Sequence, residues 1–90
     1  MGDCLVLRPS QVMYQDTSKE HVHQAVKEVF GRNVKRVRQS LGLSQEGLGL
    51  RIDADQAYIS RIEAGHLNPT IESIAELANA LKVSVSKLFD

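Results

Sequence analysis

Apolar residues recur along this chain at helical rather than strand spacing. Val22, Val26, Val29, Phe30, Val34, Val37 and Leu41 follow mostly at steps of three or four, the interval that lines up one face of an α-helix. This predicts a helix over about 18–40, capped by Thr17 or Ser18 with Glu20 in its first turn. Gly42, which can take positive φ, ends it. Gly31 costs about 1 kcal/mol relative to Ala inside such a helix, and it also marks where a shorter helix would begin. Ser44 predicts the N-cap of a second helix with Leu48 and Ile52 inward and Glu46 near the positive end of the dipole. Gly47 and Gly49 weaken that helix, so packing has to hold it. Asp53-Ala54-Asp55 reads as a polar break, and Asp55 as the cap of a third helix from Gln56 to Ala64, stopped by Gly65. After His66-Leu67-Asn68-Pro69, Thr70 caps a fourth helix with the stripe Ile71, Ile74, Ala75, Leu77, Ala78 and Leu81. Ser84 caps a last short helix carrying Val85, Leu88 and Phe89. Residues 1–17 lack a helical period. Leu5-Val6-Leu7 suits a short strand or a buried arm, Pro9-Ser10 breaks the run, and an extended or partly ordered arm is expected.

Composition sharpens this into an all-α fold, a compact five-helix bundle with an N-terminal arm or helix extension. Ninety residues make one small domain, and 42% hydrophobic content is enough for a core. With 4% aromatic residues and no Trp, that core has to be built from Ile, Leu, Val and Ala. Scattered Gly and Pro argue against a sandwich or barrel. One cysteine, Cys4, excludes an intrachain disulfide and suits a reducing compartment. No apolar run reaches the length of a membrane span, and the first fifteen residues do not read as a secretion signal. A cytoplasmic location is expected.

Charge totals conceal a local bias. Eleven basic and eleven acidic residues cancel. Yet Arg32, Lys35, Arg36, Arg38, Arg51 and Arg61 face only Glu46, Asp53 and Asp55 in the middle third, a net +3 against −1 before it and −2 after it. A local basic face suits phosphate and equally suits an ordinary solvated surface.

The third helix carries the candidate chemistry. At about 100° per residue from Gln56, Tyr58, Ile59, Ile62 and Glu63 fall roughly between 200° and 340°, and Gln56, Ala57, Ser60, Arg61 and Ala64 roughly between 0° and 140°. The isoleucines anchor one side to a core. The other side displays an amide, a hydroxyl, a guanidinium and two small residues. Gln pairs with adenine N6 and N7, Arg with guanine O6 and N7, and a small side chain admits the backbone to the groove. Any amphipathic surface helix is also polar on one side, so the helix by itself leaves both readings open.

Its context decides between them. A helix of about eight residues, a three-residue break and a helix of nine form a helix-turn-helix over 45–64. LGLSQEGLGLRIDADQAYISRIEAG followed by NPTIESIAELANALKVSVSKLF resembles the Cro/CI-type helix-turn-helix family of phage repressors and bacterial regulators. The resemblance covers about residues 30–89, leaving 1–29 as an N-terminal extension. It rests on Leu-Ser-Gln opening helix two, Tyr-Ile-Ser-Arg-Ile-Glu-x-Gly in helix three, Asn-Pro-Thr before helix four and Ala-x-Ala-Leu at its end. Two departures are Gly49, where Ala is usual, and Asp53, where the turn commonly has Gly; Asp tolerates left-handed geometry better than most residues.

The resemblance implies a sequence-specific regulator that binds double-stranded DNA, a repressor acting as a homodimer on a palindromic operator. The alternative is an antitoxin or restriction-modification controller that autoregulates its operon and binds a partner protein. A third reading, an interaction module that has lost DNA binding, is opposed by intact Gln45, Gln56 and Arg61. On the family pattern Gln45 contacts phosphate and buttresses the first reading residue, while Gln56, Ala57 and Arg61 reach base edges. Tyr58 and Ser60 match backbone-contact positions, with packing against helix two as the other reading of Tyr58. Asn68 and Thr70 match positions that grip the sugar-phosphate chain, although Thr70 equally suits a pure cap. Arg38 and Glu63 match a structural ion pair, with a phosphate contact from Arg38 as the further reading. Lys35, Arg36 and Arg51 read as general surface charge. Val83, Val85, Leu88 and Phe89 are candidates for the dimer surface or for burial within one chain. His21 and His23 point about 200° apart on a helix, and adding Cys4 and His66 yields no ligand spacing. No metal site, cofactor or catalytic constellation is expected, and no enzyme.

Overall fold

The computed structural model describes the backbone of residues 8–90 and the side chains from His21 onward. Its elements are α1 (Arg8–Ser40), α2 (Gln45–Arg51), α3 (Gln56–Glu63), α4 (Ile71–Leu81) and a closing 3-10 turn (Val85–Phe89). The described residues are thus all-helical, with the fifth helix reduced to a 3-10 turn.

α1 runs for 33 residues without interruption, which corrects the expected start near Ser18. Residues 8–17 are helical rather than an extended arm, and Thr17 and Ser18 lie inside the helix instead of capping it. Pro9 occupies the second position of α1, where its missing N–H forfeits no helical bond. No glycine or proline follows until Gly31, so a helix held at its packed end propagates outward. The strand or arm expected at Leu5-Val6-Leu7 falls outside the described residues.

Gly31 is not a helix start either; it is a crossing point. A Cβ there would collide with the carbonyl oxygen of Ile62 and lie 2.8 Å from that of Glu63. The absence of a side chain lets the backbones of α1 and α3 touch.

Three of the predicted caps are in place. Ser44, Asp55 and Thr70 accept from the backbone N–H groups of Gly47, Tyr58 and Ser73. Ser84 precedes the 3-10 turn without a side-chain cap bond. Asp53, at φ 60°, turns α2 toward α3 in the left-handed region. Gly42 and Gly65 also take positive φ, and Lys82 closes α4 at φ 61°.

The core lies between α1 and the other elements. Phe30, Val34 and Val37 of α1 meet Leu48, Ile59, Ile62, Leu77, Ala78, Leu81 and Leu88. Aliphatic residues dominate as expected, but Phe30 is a core residue too, stacked on Phe89 with ring centroids 5.1 Å apart. Parts of the predicted stripes stay outside: Val22, Val26, Leu41 and Ile71 remain exposed. Asn33, buried on α1, donates to the carbonyl oxygens of Leu88 (3.0 Å) and Asp90 (3.5 Å) and so ties the C-terminal turn to the first helix.

Candidate nucleic-acid interface

α3 is short, and tertiary packing sets its orientation. Ile59 and Ile62 are enclosed in the core, and Asp55 holds its N-terminus. That anchorage turns Gln56, Ala57, Arg61 and Ala64 outward as an exposed row. Ser60 is half-buried. Tyr58 is half-buried and packs against the core, so packing is part of its role.

Behind this row runs a chain of directed bonds. Arg38 Nε donates to Glu63 Oε2 at 2.6 Å and its Nη2 to Oε1 at 3.0 Å. The Arg38 Nη1 group donates to the carbonyl of Leu43 at 2.8 Å, just before α2. The side chains of Arg38 and Glu63 are only 9% and 4% exposed, so the pair joins α1, the α1–α2 turn and α3 from inside. Gln45 Nε2 donates to the same carboxylate at 3.0 Å, and Gln56 Nε2 donates in turn to Gln45 Oε1.

The polarity of this chain follows from the ion pair. An ionised carboxylate only accepts hydrogen bonds, so Gln45 has to present its NH₂ group to Glu63. Its Oε1 then faces Gln56, which has to present NH₂ as well. One Gln56 N–H and the whole of its Oε1 stay available outward. A buried charge thereby sets the direction of two amides, half-buried Gln45 and exposed Gln56. The family pattern implies the Gln45–Gln56 support. The link onward from Gln45 to Glu63 leaves no mark in the spacing, because the two residues lie on different helices.

Other positions resolve differently. Thr70 acts as a cap, its Oγ1 accepting from Ser73 N and bonding Ser73 Oγ. Asn68 is exposed and lines a shallow groove with His23, Val26 and Lys27 of α1. Arg51 is more than surface charge: its Nη1 donates to the carbonyl of Ala80 at 2.9 Å, joining α2 to the end of α4. Arg36 donates to Asn33 Oδ1. Leu88 corrects one candidate for the dimer surface. Its side chain is fully enclosed within the chain and offers a partner nothing. Val83 is half-buried, while Val85 and Phe89 remain exposed. Among the described residues, no helix is long and apolar enough to cross a membrane.

Comparison with known proteins agrees with this geometry. A family model described as helix-turn-helix matches residues 34–88. The chain is 41% identical over 59 residues to an uncharacterized HTH-type transcriptional regulator, y4dJ, of Sinorhizobium fredii, covering 66% of this chain and 77% of that protein. Its fold resembles that of the restriction-modification controller protein C.AhdI from Aeromonas hydrophila, with a TM-score of 0.71, 34% identity, and coverage of 74% of this chain and 97% of the other. The controller protein C.Esp1396I, solved as a tetramer with its natural 35-base-pair operator, matches with a TM-score of 0.65 and 31% identity over 71% of this chain and 84% of that one. The family match over more than half of the chain and the 41% identity to a regulator carry one conclusion: the chain belongs to the HTH_3 helix-turn-helix family of transcriptional regulators.

Proposed function

We propose that this regulator binds a palindromic operator as a homodimer and acts as a restriction-modification controller or a similar autoregulating repressor. The observation that carries the reading is the Arg38–Glu63–Gln45–Gln56 chain. It presents Gln56 with an acceptor and a donor side by side, the pairing that adenine N6 and N7 require. Arg61, exposed on the same face, suits guanine, and Ala57 admits the backbone to the groove. Gln45 at the start of α2 supports Gln56 and reaches phosphate. Tyr58 and Ser60 stand at the groove margin, and Asn68 with Thr70 on the sugar-phosphate chain. The DNA-binding unit is residues 30–89, with 1–29 as an extension continuous with it through α1.

The controller reading is favoured over an antitoxin because C.AhdI and C.Esp1396I are restriction-modification controllers and C.Esp1396I binds its operator as a tetramer. A homodimer follows from specificity: a single helix reads few bases, and two half-sites about one helical turn apart supply the rest. The role is regulatory and non-enzymatic, in the cytoplasm. Selection of bound sites from random DNA tests it. Two inverted half-sites at a fixed spacing are expected. Recovery of no enriched sequence overturns site-specific binding, and recovery of single unpaired half-sites overturns the dimer.

A further inference from the structure

A tie between α1 and α3 needs only the two bonds that Arg38 gives Glu63. Glu63 accepts a third, from Gln45 Nε2 at 3.0 Å, and Gln45 Oε1 accepts from Gln56. A carboxylate only 4% exposed is thereby connected to the first side chain of the exposed row on α3. A buried ion pair often stabilises a fold no more than apolar residues of similar volume would. Stability therefore leaves the extension of this charge towards the reading face unexplained.

The extension controls which way round Gln56 stands. A half-turn of a terminal amide exchanges its oxygen and its NH₂ group with little change of shape, and an isolated surface glutamine makes that turn freely. Here the turn is opposed at every step. Reversing Gln56 alone sets its oxygen against Gln45 Oε1, acceptor against acceptor. Reversing Gln45 as well moves the conflict inward, where its oxygen meets the Glu63 carboxylate. An ionised carboxylate has no donor to offer. Both of its oxygens are held by Arg38, whose guanidinium is fixed in turn on the Leu43 carbonyl. The series of bonds ends on a group that cannot reverse.

We propose that Glu63, held by Arg38, is a positioning residue for base choice: it keeps Gln56 in the orientation that accepts adenine and refuses guanine. This rests on the reading of Gln56 above and adds what enforces it. Adenine presents N7 as an acceptor and N6 as a donor, whereas guanine presents N7 and O6, two acceptors. With one N–H given to Gln45, Gln56 keeps its oxygen and one N–H, the complement of adenine. Against guanine the same oxygen faces O6. A glutamine free to turn would aim its NH₂ group at O6 or N7 and tolerate both purines. Arg61 has no part in this series of bonds, so the effect belongs to one base position.

The test uses the full chain and duplexes carrying the site selected from random DNA, with each adenine exchanged for guanine in turn. Gln56→Ala identifies the position that Gln56 reads. There the wild type should prefer adenine over guanine by roughly 5- to 150-fold, the range of one bidentate contact. Arg38→Met with Glu63→Leu, checked for folding by circular dichroism, should bring that ratio close to one and leave the ratios elsewhere as they were. Gln45→Met, which leaves the ion pair whole, should do the same; its lost phosphate contact lowers affinity for every duplex alike. It decides alone if the double variant does not fold. In a Gln56→Ala background neither change should alter any ratio further. An unchanged ratio in the folded variants overturns the positioning role and leaves site-specific binding standing. Equal losses of preference at every position overturn it too, because they report a loosened fold rather than a turned amide. If no site is enriched, or Gln56→Ala shifts no ratio, the reading of Gln56 itself falls, and the positioning role with it.

Discussion

Glu63 holds three donors at once, two from Arg38 and one from Gln45. Removing one partner of a buried pair costs about 3–5 kcal/mol, because the other charge is left uncompensated. Glu63→Ala is expected to destabilise the fold by about that much in chemical denaturation. Arg38→Met combined with Glu63→Leu should recover most of the loss, since apolar replacement of a whole pair is often neutral. The recovered variant should still read DNA less sharply, because the group that aligns Gln45 and Gln56 is gone. Arg61 is separate from this chain of bonds. Arg61→Ala should leave stability unchanged, cost about 1–3 kcal/mol in operator affinity, and relax preference at one base position. Titration of a set of single-base operator variants checks it; equal losses on every variant would mean that Arg61 touches phosphate only.

Helix ends and crossings carry the consequences at the scale of elements. Ala has the higher helix propensity by about 1 kcal/mol, so Gly31→Ala in an isolated helix would stabilise. Here the added methyl meets the Ile62 and Glu63 carbonyls, and forced separation of α1 from α3 costs about 1–3 kcal/mol. A net loss of stability is expected, read as a lower denaturation midpoint at unchanged slope. The opposite sign is expected at the end of α4. Lys82 is exposed and left-handed at φ 61°, a conformation that disfavours residues with a Cβ by roughly 1–2 kcal/mol. Lys82→Gly should therefore stabilise by about 1 kcal/mol, a rise of roughly 4–8 °C in Tm for a chain of this size. Asp53 occupies the same region in the helix-turn-helix, where its short polar side chain tolerates it. The turn keeps its shape without the glycine common at that position.

At the scale of the molecule the described residues form an elongated body, 57 Å along its longest axis and 23 and 20 Å across. The length comes from α1, which runs on beyond the body held against α2, α3 and α4. If two copies present their α3 helices together, an operator with both half-sites should bind roughly 10²–10⁴ times more tightly than one half-site, the range that linked sites give. Fluorescence titration with the two DNAs checks this, and equal affinities would mean that the copies bind independently.

Much of the fold was legible in the chain because its signals are local. Ser44, Asp55 and Thr70 cap helices through an N–H three residues on, and Gly42 and Gly65 end helices by their own freedom at φ. The alternation that set Ile59 and Ile62 against Gln56 and Arg61 spans one short helix. The family pattern added Gln45 and the Arg38–Glu63 pair. What the sequence alone determined was therefore the helical elements from Gln45 onward, their order and the row of side chains on α3. The tertiary structure decided the rest. Gly31 looked like a break and is a contact, because Ile62 lies far from it along the chain and beside it in space. Leu88 stood open between dimer surface and core and is core, because the C-terminal turn packs against α1. Arg51 looked like free charge and bonds Ala80. The Gln45 and Gln56 amides acquired a direction only when a carboxylate on α3 came within reach of α2. Periodicity records which way a residue faces on its own helix; what it faces is set by packing between segments that no local spacing connects.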